Sequence, residues 1–391
     1  MEQWKKCKIR DIVEVNAAQY TSKDNWEKAL YLDTGNITEN KIDEMQEFDC
    51  SSLPSRARRK VKHGDIIFST VRPNQKHYGY ITNPVPNLLV STGFAVISVN
   101  QELANSKFIY YWLSQDEIVE YLHNIAEQSV SAYPSIKASD ICNLEIKLPP
   151  LEYQSKVASI LSTLENKISL NHRINGNLEQ QAQALFNHYF IERPDLLGKY
   201  KIGNLTEIAN YLNGLAMQKF RPQMKENGIP VLKIKELGQG YTDASSDICS
   251  ENIADEYKVH NGDVIFSWSG TLMVKIWCGG LCGLNQHLFK VTSEIYPKWF
   301  YYFWTKHHLN KFIRIAQDKA VTMGHIKRSD LEASEILIPQ MDILAKLDAI
   351  INPLFSQIIE MKCENRNLAT IRDILLPRLM YGKLKIDDLN R

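Results

Sequence analysis

Apolar residues recur along the chain in two rhythms. Asp65-Ile66-Ile67-Phe68, Val90 through Val99, Val264-Ile265-Phe266 and His287 through Val291 are short runs rich in β-branched and aromatic residues, and they read as strands. Gly64-Asp65 and Gly262-Asp263 mark tight turns leading into two of them. Elsewhere apolar positions step by three and four, the period of a helix. Val157, Leu161, Leu164, Ile168, Ile174, Leu178 and Leu185 form one such stripe, and Ile343, Leu347, Ile350, Leu354, Ile358, Leu368, Ile371 and Leu375 form another. Each stripe begins at a proline boundary, Pro149-Pro150 or Pro339, and extends for about 36–40 residues, roughly 55–60 Å of helix. So narrow a stripe on so long a helix predicts a coiled-coil seam. Two helices lying across a globular core would satisfy the same stripe, but Asn166-Lys167, Asn171-His172-Arg173 and Glu364-Asn365-Arg366 read as exposed faces. Pro353 interrupts the second stripe where the first has Thr163, and loss of a backbone bond there costs about 3 kcal/mol, so a kink or break is expected at Asn352-Pro353. Helices rich in aromatics are expected near 106–123 and 297–315.

These elements occur twice, in the same order. Val61-Lys62-His63-Gly64-Asp65-Ile66-Ile67-Phe68-Ser69 returns 198 positions later as Val259-His260-Asn261-Gly262-Asp263-Val264-Ile265-Phe266-Ser267. Phe108-Ile109-Tyr110-Tyr111-Trp112 is echoed by Trp299-Phe300-Tyr301-Tyr302-Phe303. Ile136 through Ile141, Glu145 through Pro149 and Asn177-Leu178 all return 190 positions later, so the halves differ by small loop insertions and not by order. The chain is an internal pseudo-repeat of class α+β. Its expected organisation is a first α+β domain over 1–148, a long helix over 149–192, a second α+β domain over 198–338, and a second long helix with a tail over 339–391.

Composition narrows the class. The 391 residues carry a net charge of only +1, so a polyanion partner must be met by local patches. No apolar run of membrane-spanning length occurs, and the first residues lack the apolar core of a signal peptide. Seven scattered cysteines, an odd number, argue against a disulfide scaffold and for a reducing cytoplasm.

Three blocks carry a family resemblance. They are Gly64 to Ser69 with its copy Gly262 to Ser267, then Leu148-Pro149-Pro150-Leu151-Glu152-Tyr153-Gln154 with the degenerate copy Ile338 to Leu344, and the closing Leu375-Leu376-Pro377-Arg378-Leu379-Met380-Tyr381-Gly382-Lys383-Leu384. With them the chain resembles the DNA-specificity subunit of type I restriction-modification systems, the HsdS family, over essentially its whole length. The resemblance implies two tandem target recognition domains separated by two long antiparallel helices. It implies a non-catalytic subunit without a cofactor, binding a bipartite duplex target of two half-sites and a spacer of unspecified sequence. The implied partners are double-stranded DNA, two copies of an adenine methyltransferase subunit, and ATP-dependent translocating restriction subunits.

The residues themselves support DNA reading. Between Ser55 and His77 lie Arg56, Arg58, Arg59, Lys60, Lys62, Arg72 and Lys76 against the single acid Asp65. The second half has Lys298, Lys306, Lys311, Arg314, Lys319, Lys327 and Arg328, with Asp318 opposing. Such charge neutralises phosphates. Base edges are read by forked donors and amides at loop tips. The first half offers Ser69, Thr70, Arg72, Asn74 and Lys76. The second offers Ser267, Trp268, Ser269, Thr271, Asn285, Gln286 and His287, with Lys233 and Lys235 on a run matching Leu32 to Asn36. A solvated loop would explain the basic run without a partner, turn chemistry would explain the amides, and packing would explain Trp268.

No constellation for catalysis stands out. Asn352-Pro353-Leu354-Phe355 departs at its third position from the Asn-Pro-Pro-Phe loop of adenine methyltransferases and lies within a helical pattern, and no phosphate-binding loop occurs. Cys278 and Cys282 lack a second pair at zinc spacing, with His287 the nearest candidate ligand. His307-His308 read as surface residues. Phe186, Tyr189 and Phe190 suit either a docking surface for the methyltransferase or burial within the chain. A fused methyltransferase and a helical scaffold with no DNA role are the competing classes.

Overall fold

The computed structural model describes residues 4–129, 133–224, 226–318 and 324–384. The chain divides into two units, Met1–Leu164 with Ile371–Arg391, and Glu165–Thr370.

Each unit is built on the same three sheets. In the first, Val13–Val15, Phe94–Val99, Ile66–Ser69 and Tyr78–Tyr80 lie side by side in that order, all antiparallel. A second sheet runs Gln46–Asp49, Lys28–Leu32, Leu88–Ser91, Ala57–Lys60, and its central pair is parallel. Lys5–Lys8 pairs with Glu145–Leu148. The second unit repeats this with Asn210–Asn213, Leu288–Thr292, Val264–Ser267 and Met273–Ile276. Its other sheet runs Ile248–Ser250, Gly228–Leu232, Cys282–Leu284, Lys258–Val259, with the parallel pair in the same place. Tyr200–Asn204 pairs with Glu335–Pro339.

The duplication extends to single hydrogen bonds. The backbone N–H of Lys62 donates to the Asp65 carboxylate at 2.8 Å, as that of His260 does to Asp263 at 2.8 Å. Both turns place glycine at φ 89°, Gly64 and Gly262, where an L side chain is strained. At Gly64 an added Cβ would meet nothing closer than 3.7 Å, so the backbone conformation and not crowding calls for glycine. The strands that follow, Ile66–Ser69 and Val264–Ser267, are buried along their whole length.

The long helices are Leu151–Asn187, extended by one π turn to Glu192, and Met341–Met380. Within the first unit Val157 and Leu161 pack in one core with Leu379 and Met380, and the Tyr153 hydroxyl donates to the Leu379 carbonyl at 3.0 Å. Within the second, Leu178, Ala182, Phe186 and Phe190 share a core with Leu347, Ile351, Phe355 and Ile358. In the second unit Asn171 meets Asn365 and Glu179 meets Lys362, rising numbers against falling ones, so the two helical segments run antiparallel there. Of the kink or break expected at Asn352-Pro353, the break does not occur: the helix runs through from Met341 to Met380. Proline deprives the Ala349 carbonyl of its helical donor, but both residues are exposed, where an unpaired carbonyl costs least, and the helix continues.

Three further expectations are corrected. Asn171 and Asn365 are buried, not exposed, and bonded to one another. The aromatic helix of the first unit is split into Ser106–Leu113 and Asp116–Glu127, whereas its counterpart Lys298–Asp318 is continuous. At the split the Ser114 hydroxyl donates to the Tyr111 carbonyl at 3.0 Å, competing with the helical pattern. Val90 through Val99 is two strands joined by a turn at Thr92-Gly93.

Gln154 accounts for the degenerate second proline block. It is 1% exposed, accepts from the Asn105 N–H at 2.8 Å and donates to the Pro149 carbonyl at 2.7 Å, tying the start of the long helix to the cap of the aromatic helix. Its counterpart Leu344 packs into the apolar core instead.

Candidate nucleic-acid interface

In both units the turn joining the two four-stranded sheets gathers the loops. In the first it is Thr92-Gly93. The Thr92 N–H donates to the Arg56 carbonyl at 2.9 Å, and the Gly93 carbonyl accepts from the Thr70 N–H and hydroxyl at 2.8 and 2.9 Å. Arg72 in turn donates its N–H to Pro134 at 2.9 Å. Arg56 and Thr70 therefore border one turn although 14 positions separate them, and Arg72 follows Thr70 by two residues. Arg56, Arg58, Lys62, Arg72 and Asn74 are exposed, and among the described residues no carboxylate forms an ion pair with any of the four cations. Arg72 takes a left-handed backbone with φ 45°, and its guanidinium lies 5.3 Å from the Tyr133 ring centre.

Other cations of the same run are committed within the fold. Arg59 is half-buried and donates to the Asn16 side chain. Lys60 is paired with Asp24 and lies 5.2 Å from the Trp26 ring centre. Lys76 is held between Glu39 at 3.0 Å and Asp116 at 2.7 Å. Burial opposes its charge, but the two carboxylates outweigh burial and raise the ammonium pKa. Ser69 is 1% exposed and its hydroxyl donates to the Val71 carbonyl.

The second unit uses Asn285-Gln286-His287 at the equivalent turn. Here the Trp268 N–H meets the His287 carbonyl at 3.4 Å, in place of the Thr70–Gly93 bond. The Asn285 N–H donates to Leu232, which brings Lys233 and Lys235 alongside. Ser267 is fully buried, its hydroxyl donating to the Ser269 carbonyl, and the Ser269 hydroxyl lies 3.0 Å from His287 Nδ1. Trp268 is half-buried, packs on Phe289 and donates from Nε1 to Asn213 at 3.0 Å. Thr271 is exposed beside Gly270.

A cleft of about 410 Å³ opens at this turn, lined by Gln218, Arg221, Lys233, Lys235, Gln286 and His287 among others. Lys233 is paired with Asp247, and Lys235 bonds Ser245 at 2.8 Å with Asp243 at 3.6 Å. The bond from Lys233, aided by the more distant Arg221, holds the Asp247 carboxyl below its usual range. Gln218 and Arg221 were missed in the sequence, because nothing local marks a loop whose neighbours come from three other segments.

Of the basic set from Lys298 to Arg328, Arg314 and Lys327 are exposed with no ion pair among the described residues, while others are committed within the fold. Lys298 donates to the Gly262 carbonyl, Lys311 to that of Ala333, and Arg328 meets Glu332 at 3.7 Å. Lys306 is half-buried, and burial lowers its pKa. Lys319 lies outside the described residues. His308 is half-buried and bonded to the Glu335 carbonyl, not a free surface residue. Phe186 and Phe190 are buried in the second core, which removes them from any docking surface.

The chain is thus a duplicated α+β frame whose two copies carry loop clusters of different side chains. The chain belongs to the type I restriction modification DNA specificity domain family, whose model matches residues 1–180 and 198–365. It is 27% identical to the type I restriction enzyme MjaIX specificity subunit of Methanocaldococcus jannaschii, over 99% of this chain and 94% of that one. It is 21% identical to the HindI specificity subunit of Haemophilus influenzae, over 98% of this chain and 100% of that one. Its fold is similar to the crystal structure of a type I restriction-modification S subunit from M. genitalium, with TM-score 0.57 and 15% identity over 97% and 96% of the two chains.

Proposed function

We propose that this chain is the sequence-reading subunit of a type I restriction-modification complex, with residues 1–148 and 198–338 each reading one half of a bipartite duplex target. The helices within 149–192 and 339–391 act as spacers between the two recognition domains. The subunit itself is non-catalytic and acts in the cytoplasm. It directs two copies of an adenine methyltransferase subunit and, for cleavage, ATP-dependent restriction subunits.

The observation that carries this reading is the contrast between frame and loops. The two turns share a backbone bond, Thr70 N–H to the Gly93 carbonyl in one and Trp268 N–H to the His287 carbonyl in the other, yet the side chains around them differ: Thr92-Gly93 against Gln286-His287, Thr70 against Trp268, Asp33 against Lys233. One scaffold with two sets of loop chemistry is what two different half-sites require.

Affinity for random duplex should be electrostatic. Contacts from Arg56, Arg58, Lys62 and Arg72 alone would give a logarithmic salt slope of about −0.9 for each phosphate met. Measuring duplex binding by the full chain across a salt series tests this. Binding that is absent or independent of salt would favour the scaffold alternative.

A further inference from the structure

The loop between Asn210–Asn213 and Gly228–Leu232 is one of the places where the two copies differ in length. Val15 and Tyr211 occupy the same register, 196 positions apart. Leu32 and Leu232 also occupy the same register, but 200 positions apart. The second copy has therefore gained four residues in between. This lengthened segment supplies one wall of the cleft at the Asn285-Gln286-His287 turn, through Gln218 and Arg221.

The same cleft is lined by Lys233 and Lys235, cations that sequence alone singles out. Both are held by side chains of the segment from Asp243 to Asp247. Gln218 and Arg221 are exposed, and among the described residues neither side chain has a hydrogen-bond partner or an ion pair. The cleft thus presents one free guanidinium fork and one free amide next to the turn amide of Gln286.

We propose that Arg221 and Gln218 are base-reading residues of the second recognition domain, Arg221 facing a guanine edge and Gln218 an adenine edge. The inference rests on the DNA-reading function proposed above and deepens it. A guanidinium matches guanine O6 and N7 by two parallel bonds, and a carboxamide matches adenine N6 and N7 in the same way. Lys233 and Lys235, already neutralised, position the walls of the cleft and do not read bases.

The test is a base-resolution map of methylated sites made by the full chain assembled with its methyltransferase subunits. Wild type, Arg221→Ala, Arg221→Lys and Gln218→Ala are compared. Each Arg221 variant should relax one guanine position of one half-site by about tenfold or more, leaving the other half-site unchanged. Gln218→Ala should relax an adenine position of that same half-site. Arg221→Lys keeps the charge, so discrimination lost in it as well as in the alanine variant separates base reading from phosphate contact. Methylation that falls alike at all sites, or an unaltered half-site in all three variants, overturns the proposal while the wild-type site stands. A wild-type complex that marks no bipartite site overturns the underlying reading.

Discussion

Asn171 donates from Nδ2 to Oδ1 of Asn365 at 2.9 Å, and both side chains are buried between the long helices of the second unit. The same nitrogen donates to Glu364 at 2.7 Å, and the Asn365 amide reaches the Ile168 carbonyl at 3.3 Å. A polar layer in an apolar seam costs stability and fixes which residues face one another. Asn171→Ala should cost about 1–3 kcal/mol, because Asn365 and Glu364 lose a buried donor. Asn171→Leu with Asn365→Leu should recover most of that loss. Denaturant unfolding of the full chain reads both, and a double variant no better than the single one would contradict the account.

The turn before each central strand should behave as a structural cap. The Asp65 carboxylate accepts from the Lys62 N–H and from the Ser98 hydroxyl at 2.7 Å, and it is 3% exposed. Asp65→Ala leaves those donors unpaired in the fold, at a cost of about 1–3 kcal/mol. Asp263 has a comparable position, paired with Lys290 at 3.0 Å. Asp65→Asn should lose less than Asp65→Ala in thermal unfolding, since one acceptor oxygen remains.

His308 sets a pH dependence. Burial favours the neutral ring and lowers its pKa to about 4 from an ordinary 6.5, although its bond to Glu335 works the other way. The unfolded chain then binds the extra proton between those two values, so stability falls as pH drops from about 6.5 to about 4. Below the lower value the loss is complete. After discounting for the ring's partial exposure, the effect is on the order of 1–2 kcal/mol. His308→Gln should flatten that part of the stability profile, and an unchanged slope would show that another group titrates.

Arg72 is the exposed fork of the first domain. Arg72→Ala should relax one position of the first half-site by about 1–3 kcal/mol if the guanidinium reads a base, and weaken all sequences alike if it meets a phosphate. Competition between matched and single-mismatch duplexes distinguishes the two. Selectivity at the second half-site should not change in either case.

Much of this architecture was legible in the sequence because it rests on local pattern. The Gly-Asp turns, the strands after them and the long apolar stripes announce themselves within a dozen residues. What stayed hidden depends on partners far along the chain. The charge of Lys60 is cancelled by Asp24 and that of Lys76 by Glu39 and Asp116, none of them in the basic run. Asn171 and Asn365 look like solvent-facing residues until a separation of 194 positions is folded away. Pro353 read as a kink or break because sequence does not reveal that it and Ala349 lie on an exposed face of the helix. Gln218 and Arg221 carried no signal, since the cleft they line is assembled from separate segments.

The central claim is that two copies of one frame read two different short sequences. Base-resolution mapping of the sites methylated by the wild-type complex tests it most directly. The account predicts a two-part motif whose halves differ in sequence and are separated by a fixed number of unspecified base pairs. A single uninterrupted motif, or the same half-site repeated, would contradict it.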